Sequence, residues 1–196
     1  MPNSTSSNYI ISLKPYAILS AGLFALSLIN GYLITALDPD GAIEIMRNLQ
    51  ETYGSLSETE GLELMFRIFI NNAVKSFLAA YAAIITLGIA PFVFLWVNGV
   101  IAGVVAAILY FDGQFATFLI GITPHGILEI PALILSSALG FRFAKAVFTK
   151  ISRKKIILST ELKNGSLFFL KVIIPLLIGA AIIETFITPY LLNMRS

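Results

Sequence analysis

The one histidine of this chain, His125, stands four positions before Glu129 in the string Thr123-Pro124-His125-Gly126-Ile127-Leu128-Glu129-Ile130-Pro131. Residues four apart share a helix face, so imidazole and carboxylate can meet and satisfy each other's polar demand. Three chemistries are open to such a pair, and a hydrogen-bonded structural lock ranks first, because buried polar groups are usually satisfied by their neighbours. A site for a proton, a cation or a small ligand ranks second. Zinc comes third, since one histidine and one carboxylate fall short of the three protein ligands of an open zinc site. Glu184 supplies another ligand only if its segment packs nearby, which spacing along the chain does not show. No metal or cofactor is therefore expected. Catalysis by a nucleophile and base is weaker still: there is no cysteine, and Ser136-Ser137 lie about 17 Å along a helix from His125. The expectation is a protein that is not an enzyme.

What must position this pair is a membrane bundle. Of the 196 residues 57% are hydrophobic and 12% charged, and from Gly113 to Phe141 Glu129 is the single acidic or basic residue. Ala17 to Leu37 is 21 residues without a charge and Ser76 to Phe111 is 36, both long enough to cross a bilayer core. Unpaired amides cannot face lipid and no alternating barrel strands occur, so the spans must be helices. An ionisable group at hydrocarbon depth costs roughly 2.5 to 3.5 kcal/mol, which marks His125 and Glu129 as facing a partner or a cavity. The absence of cysteine also excludes disulfides and thiolate metal sites. No basic residue precedes Lys14 and no cleavage-like site follows, so the first apolar run reads as an uncleaved anchor.

Charge is segregated along the chain. Asp38 to Arg67 carries seven acids against Arg47 and Arg67, whereas Arg142 to Lys163 carries seven cations against Glu161 alone. The excess of Lys and Arg places the second segment in the cytoplasm and the first outside. An odd number of spans must then join them. The 36-residue run would be about 54 Å long as one helix, too long for a core of about 30 Å, and Gly88-Ile89-Ala90-Pro91 divides it. Glycine suits the end of one helix and proline the start of the next. Residues 69–87 and 91–110 become the second and third spans. Thr123-Pro124 interrupts the next segment, which predicts a short re-entrant element over 115–122 before a fourth span over 126–141, and 167–187 forms the fifth.

The expected architecture is all-α: one integral membrane domain over residues 1–196, a polytopic bundle of about five spans in the cell membrane. It has a cytoplasmic tail (1–16), an acidic outer loop (38–67), a basic cytoplasmic loop (142–166), the N-terminus inside and the C-terminus outside. Within the acidic loop, Ile43, Met46 and Leu49 fit a short amphipathic helix, and Ser57-Glu58-Thr59-Glu60 reads as a capping box. Phe141, Phe143, Val147, Phe148 and Ile151 interleave with cations, as in a helix lying on anionic head groups, although a solvated loop that merely sets topology explains them equally.

The remaining polar and small residues fall into place around this frame. Asn71 and Asn72 begin the second span at a depth that suits bracing the exposed carbonyls near His125. Asn98 lies beside Gly99-x-x-x-Gly103, a spacing that admits a close helix and reads as packing within the chain ahead of a dimer interface, with a homo-oligomer left open. Pro124, Gly126 and Pro131 shape the break, as Gly88 and Pro91 shape the earlier turn.

Asn71-Asn72, Asn98-Gly99-x-x-x-Gly103 and Pro124-His125-Gly126-x-x-Glu129-x-Pro131-Ala132 followed by Gly140 resemble the stage II sporulation protein M family of integral membrane proteins. The resemblance implies a multipass membrane location. In spore-forming bacteria it also implies the assembly of a membrane-bound complex with cell-wall hydrolases during engulfment. The expected function is a non-enzymatic scaffold whose partners are the lipid bilayer and other membrane proteins. The alternative is a small ion or solute transporter or channel using His125 and Glu129, an alternative weakened by the lack of an evident inverted repeat. Nucleic acid is excluded as a partner, since the basic cluster is short, beside a membrane and without aromatic stacking positions.

Overall fold

The computed structural model describes residues 4–53, 59–153 and 157–194, and every regular element among them is helical. Five helices are long and apolar enough to cross a membrane: Tyr9–Leu37, Gly61–Thr86, Ile89–Phe111, Phe115–Ile151 and Leu158–Asn193. The chain is thus an all-α bundle of five candidate spans. Helices α1 (Ser4–Leu37), α2 (Pro39–Tyr53), α3 (Gly61–Tyr81), α4 (Ala83–Thr86), α5 (Ile89–Phe111) and α6 (Phe115–Ile151) precede one long final rod. That rod consists of α7 (Leu158–Phe168), α8 (Ile174–Ile182) and α9 (Thr188–Asn193), joined by π-helical turns over Phe169–Ile173 and Ile183–Ile187.

Both π turns have a sequence cause. Pro175 and Pro189 each stand two positions past the end of one, and the carbonyls with which their rings would collide, those of Lys171 and Thr185, lie inside the turns. Widening the helix by one residue makes that room without ending it.

Helix α6 is the central element and packs against α1, α3, α5 and α8. Its buried side is lined by small residues, Ala132, Ser136, Ser137, Ala138 and Gly140, with Leu139 and Phe143 filling the core beside Leu13, Ile173 and Leu177. Between α1 and α5 the approach is closer still. A Cβ added to Gly99 would overlap Ser27 Oγ, and one added to Gly103 would overlap the Leu28 carbonyl oxygen, so bare backbone at both positions is what lets the helices meet. Ser27 Oγ, buried in this seam, donates to the Phe24 carbonyl at 2.8 Å and lies 3.4 Å from that of Leu95. The glycine spacing therefore serves packing inside the chain.

The turn between α4 and α5 is built by Leu87 (φ 51°) and Gly88 (φ 100°), both in the left-handed region. Thr86 Oγ1 bridges it, donating to the Ala82 carbonyl at 2.9 Å and accepting from the Ala90 amide at 3.1 Å, one of the first amides of α5. Pro91 follows, buried in the first turn of α5 where a proline costs little.

The re-entrant element expected over 115–122 does not form. Helix α6 runs unbroken from Phe115 to Ile151 through both Pro124 and Pro131. Each proline removes one backbone hydrogen bond, from the carbonyls of Ile120 and Ile127, whereas a real break would strip several residues of their bonds in an apolar setting. The cheaper choice is a continuous helix.

The segments read as loops are also largely helical. Residues 4–16 continue α1, and α2 occupies most of the acidic segment, with Ile43 and Met46 set across a groove from Val105, Ile108 and Leu109 of α5. Ser57 and Glu58 of the expected capping box lie outside the described residues, as does the Leu49 side chain. Glu60, not Ser57, is the N-cap of α3, and it makes no side-chain capping bond. In the basic segment α6 extends to Ile151 and α7 starts at Leu158, so the described residues there form no separate surface helix; Lys154 and Lys155 are outside the described residues. Phe143 is fully buried in the core, while Phe148 and Ile151 are exposed.

Gly99→Ala and Gly103→Ala should each cost about 1 to 3 kcal/mol, since the added methyl must push α1 away. Gly121→Ala, whose methyl would meet nothing within 4 Å, should be neutral or stabilise by up to about 1 kcal/mol. Thermal unfolding in detergent compares the three, and equal losses would contradict the seam.

Candidate functional site

Five polar side chains converge from three spans. One turn of α6 places His125 Nε2 3.9 Å from Glu129 Oε2, beyond hydrogen-bond length but within direct electrostatic contact. Glu184, inside the second π turn of the final rod, completes a group in which one ligand atom from each of His125, Glu129 and Glu184 lies within 4.8 Å of the others. From α3, Asn72 Nδ2 donates to Glu129 Oε1 at 3.1 Å, and Asn71 Nδ2 stands 3.3 Å from Asn72 Oδ1. The depths agree: His125 is about 15 Å from the start of α6, Asn72 about 17 Å from the start of α3 and Glu184 about 14 Å from the end of α9. Those three helix ends therefore lie at one side of the bundle, and the cluster sits about three helical turns in from them.

The surroundings are tight. His125 and Glu129 side chains are 14% and 29% exposed, and His125 Nδ1 is buried with no hydrogen-bond partner among the described residues. Lys75, one turn along α3 from Asn72, lines the same cavity as Asn72, Ser76, Asn98 and Glu129. That cavity holds about 10 Å³, room for about one water molecule. Two carboxylates this close repel strongly where the medium is apolar, and Lys75 supplies one positive charge on the Glu129 side.

Not every residue singled out by sequence joins the cluster. Asn98 lines its cavity, yet its amide donates to the Phe94 carbonyl of its own helix at 2.7 Å. Pro124 and Gly126 flank His125 on α6, and Gly126 is buried, whereas Pro131 is exposed. Gly88 and Pro91 belong to the turn between α4 and α5, and Gly99 and Gly103 to the α1 seam, so these four shape the frame without touching the site. Glu184 belongs with His125 and Glu129, which the chain order alone could not reveal.

A second polar junction near the other end of the bundle escaped the sequence reading. Arg142 is paired with Glu161 through both carboxylate oxygens, with Arg142 Nη2 donating to Glu161 Oε2 at 3.0 Å. Its Nη1 donates to Ser12 Oγ, and the guanidinium lies 4.2 Å from the centre of the Tyr9 ring. One arginine thereby ties α1, α6 and α7. The available signal was Glu161, the single acid in an otherwise basic segment.

A family model for stage II sporulation protein M matches residues 20–189. An uncharacterized protein of Methanocaldococcus jannaschii is 29% identical over 130 residues, which cover 65% of this chain and 73% of that protein. No solved structure matches the chain.

A double-mutant cycle between Asn72→Ala and Glu129→Gln should return a coupling of about 0.6 to 1.7 kcal/mol, the range of hydrogen bonds between membrane helices. The same cycle with Asn98→Ala in place of Asn72→Ala should give a coupling near zero. Unfolding free energies in bicelles measure both, and a larger coupling for Asn98 would contradict the assignment of Glu129 to Asn72.

Proposed function

Because this chain belongs to the stage II sporulation protein M family, we infer that its five-span bundle works as a non-enzymatic scaffold for a membrane complex. The observation that supports this reading is the closed polar junction. Glu129 is held by the Asn72 amide beside space for about one water, which suits an architectural lock between spans better than a conduit for solutes. A transport path would need a continuous polar opening past Phe94, Leu133 and Leu177, the apolar residues that line this cavity.

The charge pattern supports an N-terminus in the cytoplasm and a C-terminus outside the cell membrane, with the cations of 142–163 facing inward. Helix α6 and the final rod, 37 and 36 residues long, run about 55 Å and exceed a core of about 30 Å. Their surplus length projects past the hydrocarbon at the basic end, where the Arg142–Glu161 pair holds them together. This braced projection is a surface that other membrane proteins of the complex can grip.

Chemical crosslinking in native membranes followed by purification should recover the chain in a defined complex with other membrane proteins. Proteoliposomes holding the isolated protein should release ions and small solutes no faster than empty vesicles. A chain recovered without partners that conducts a flux abolished by Glu129→Gln would overturn the scaffold reading in favour of transport.

A further inference from the structure

We propose that His125, Glu129 and Glu184 form a binding site for one divalent transition-metal cation of the zinc class, set inside the membrane bundle. The geometry comes first. Three potential ligand atoms that all lie within 4.8 Å of one another share a central point no more than about 2.8 Å from each. Bonds from zinc to imidazole nitrogen and carboxylate oxygen are about 2.0 to 2.2 Å, so side-chain movements of less than an ångström close the site. Among the described residues no other group of three or more His, Asp or Glu side chains has this spacing.

Two further observations point to a cation. A ring nitrogen of His125 is buried without a hydrogen-bond partner among the described residues, and the other lies 3.9 Å from Glu129 Oε2, beyond hydrogen-bond length. The imidazole is thus placed against the carboxylates but not bonded to them, an arrangement that a shared ion resolves. The group also gathers two carboxyl groups, Glu129 and Glu184, whose negative charges a divalent cation would neutralise together with Lys75, which lines the Glu129 cavity. The π turn that accommodates Pro189 also sets the face from which Glu184 reaches the group.

The donor set selects the ion class. One imidazole with two carboxylates suits zinc, manganese or iron(II), whereas magnesium and calcium favour oxygen-only shells with several waters. Three protein donors leave a fourth position open, as in zinc sites that hold a water. Asn72 serves from outside the ligand set: its amide fixes one oxygen of Glu129 at 3.1 Å and so directs the other toward His125. A bound ion would fasten α6 to the final rod, joining residues 55 positions apart between Glu129 and Glu184. The site goes beyond the scaffold reading and stands without it, since binding is measured on the isolated chain.

The test uses the full chain, purified in detergent with a histidine-free affinity tag, stripped with chelator and titrated with Zn²⁺ alone. Calorimetry and elemental analysis after desalting should give one Zn²⁺ per chain, and the unfolding temperature should rise with Zn²⁺ but not with Mg²⁺. Glu184→Gln and His125→Asn should weaken binding at least 100-fold, and Asn72→Ala about 10-fold, while Thr149→Ala, at the far end of α6, leaves it unchanged. If either ligand variant fails to fold, X-ray absorption at the zinc edge of the parent protein decides the matter, with one imidazole and carboxylate oxygens expected around the metal. Folded parent protein that takes up protons but no Zn²⁺, affinity unchanged in Glu184→Gln, or a zinc shell without imidazole would each overturn the proposal.

Discussion

Glu129 and Glu184 sit deep in an apolar bundle, and a carboxylate there must be met by donors or cations because the solvent that would otherwise stabilise it is gone. Much of the arrangement of the spans follows from how that demand is met. Helix α3 brings Asn72 to donate to Glu129 and Lys75 to line the same cavity, α6 turns His125 onto the same face, and the final rod widens into a π turn where it delivers Glu184. The three elements come from distant parts of the sequence, so the polar groups specify which spans are neighbours in a way that apolar contacts, interchangeable with lipid, cannot.

Close packing makes that convergence feasible. Without a hydrophobic drive between helices inside lipid, association depends on van der Waals fit, and this chain achieves it with small residues on the faces that meet. Bare backbone at Gly99 and Gly103 draws α1 against α5, while the alanines and serines of α6 let it lie in the middle. At the far end Arg142 holds α1, α6 and α7 through Glu161, Ser12 and Tyr9. The polar cluster is therefore held between a tight seam and a braced end, which keeps its cavity small.

Much of this was legible before any coordinates. Long apolar runs mark the five candidate spans, Gly88 and Pro91 the turn between α4 and α5, and the histidine and acid four apart one part of the polar cluster. The re-entrant element failed because a proline was read as a break, when in lipid the loss of one hydrogen bond is cheaper than ending a helix. The loops failed for a related reason: charge marks where a helix leaves hydrocarbon, not where it ends, and both α1 and α6 continue well past that point. Glu184 could not be placed at all. Two π turns each shift the helical register of the final rod, so a period of 3.6 residues gives no guide to the face that Glu184 occupies, and only packing shows it. Arg142 and Glu161 were visible as charges, but their pairing depends on α7 folding back against α6.

The polar cluster requires Glu184 to reach the face of α6 that carries His125 and Glu129. Solid-state NMR of the chain in lipid bilayers tests this directly, because the single histidine gives one set of labelled ring-nitrogen signals. With glutamate carboxyl carbons labelled, strong dipolar couplings from the His125 ring to two carboxyl groups are predicted, one of them vanishing in Glu184→Gln. Coupling to one carboxyl group alone, unchanged by that substitution, would contradict the convergence of spans on which the site depends.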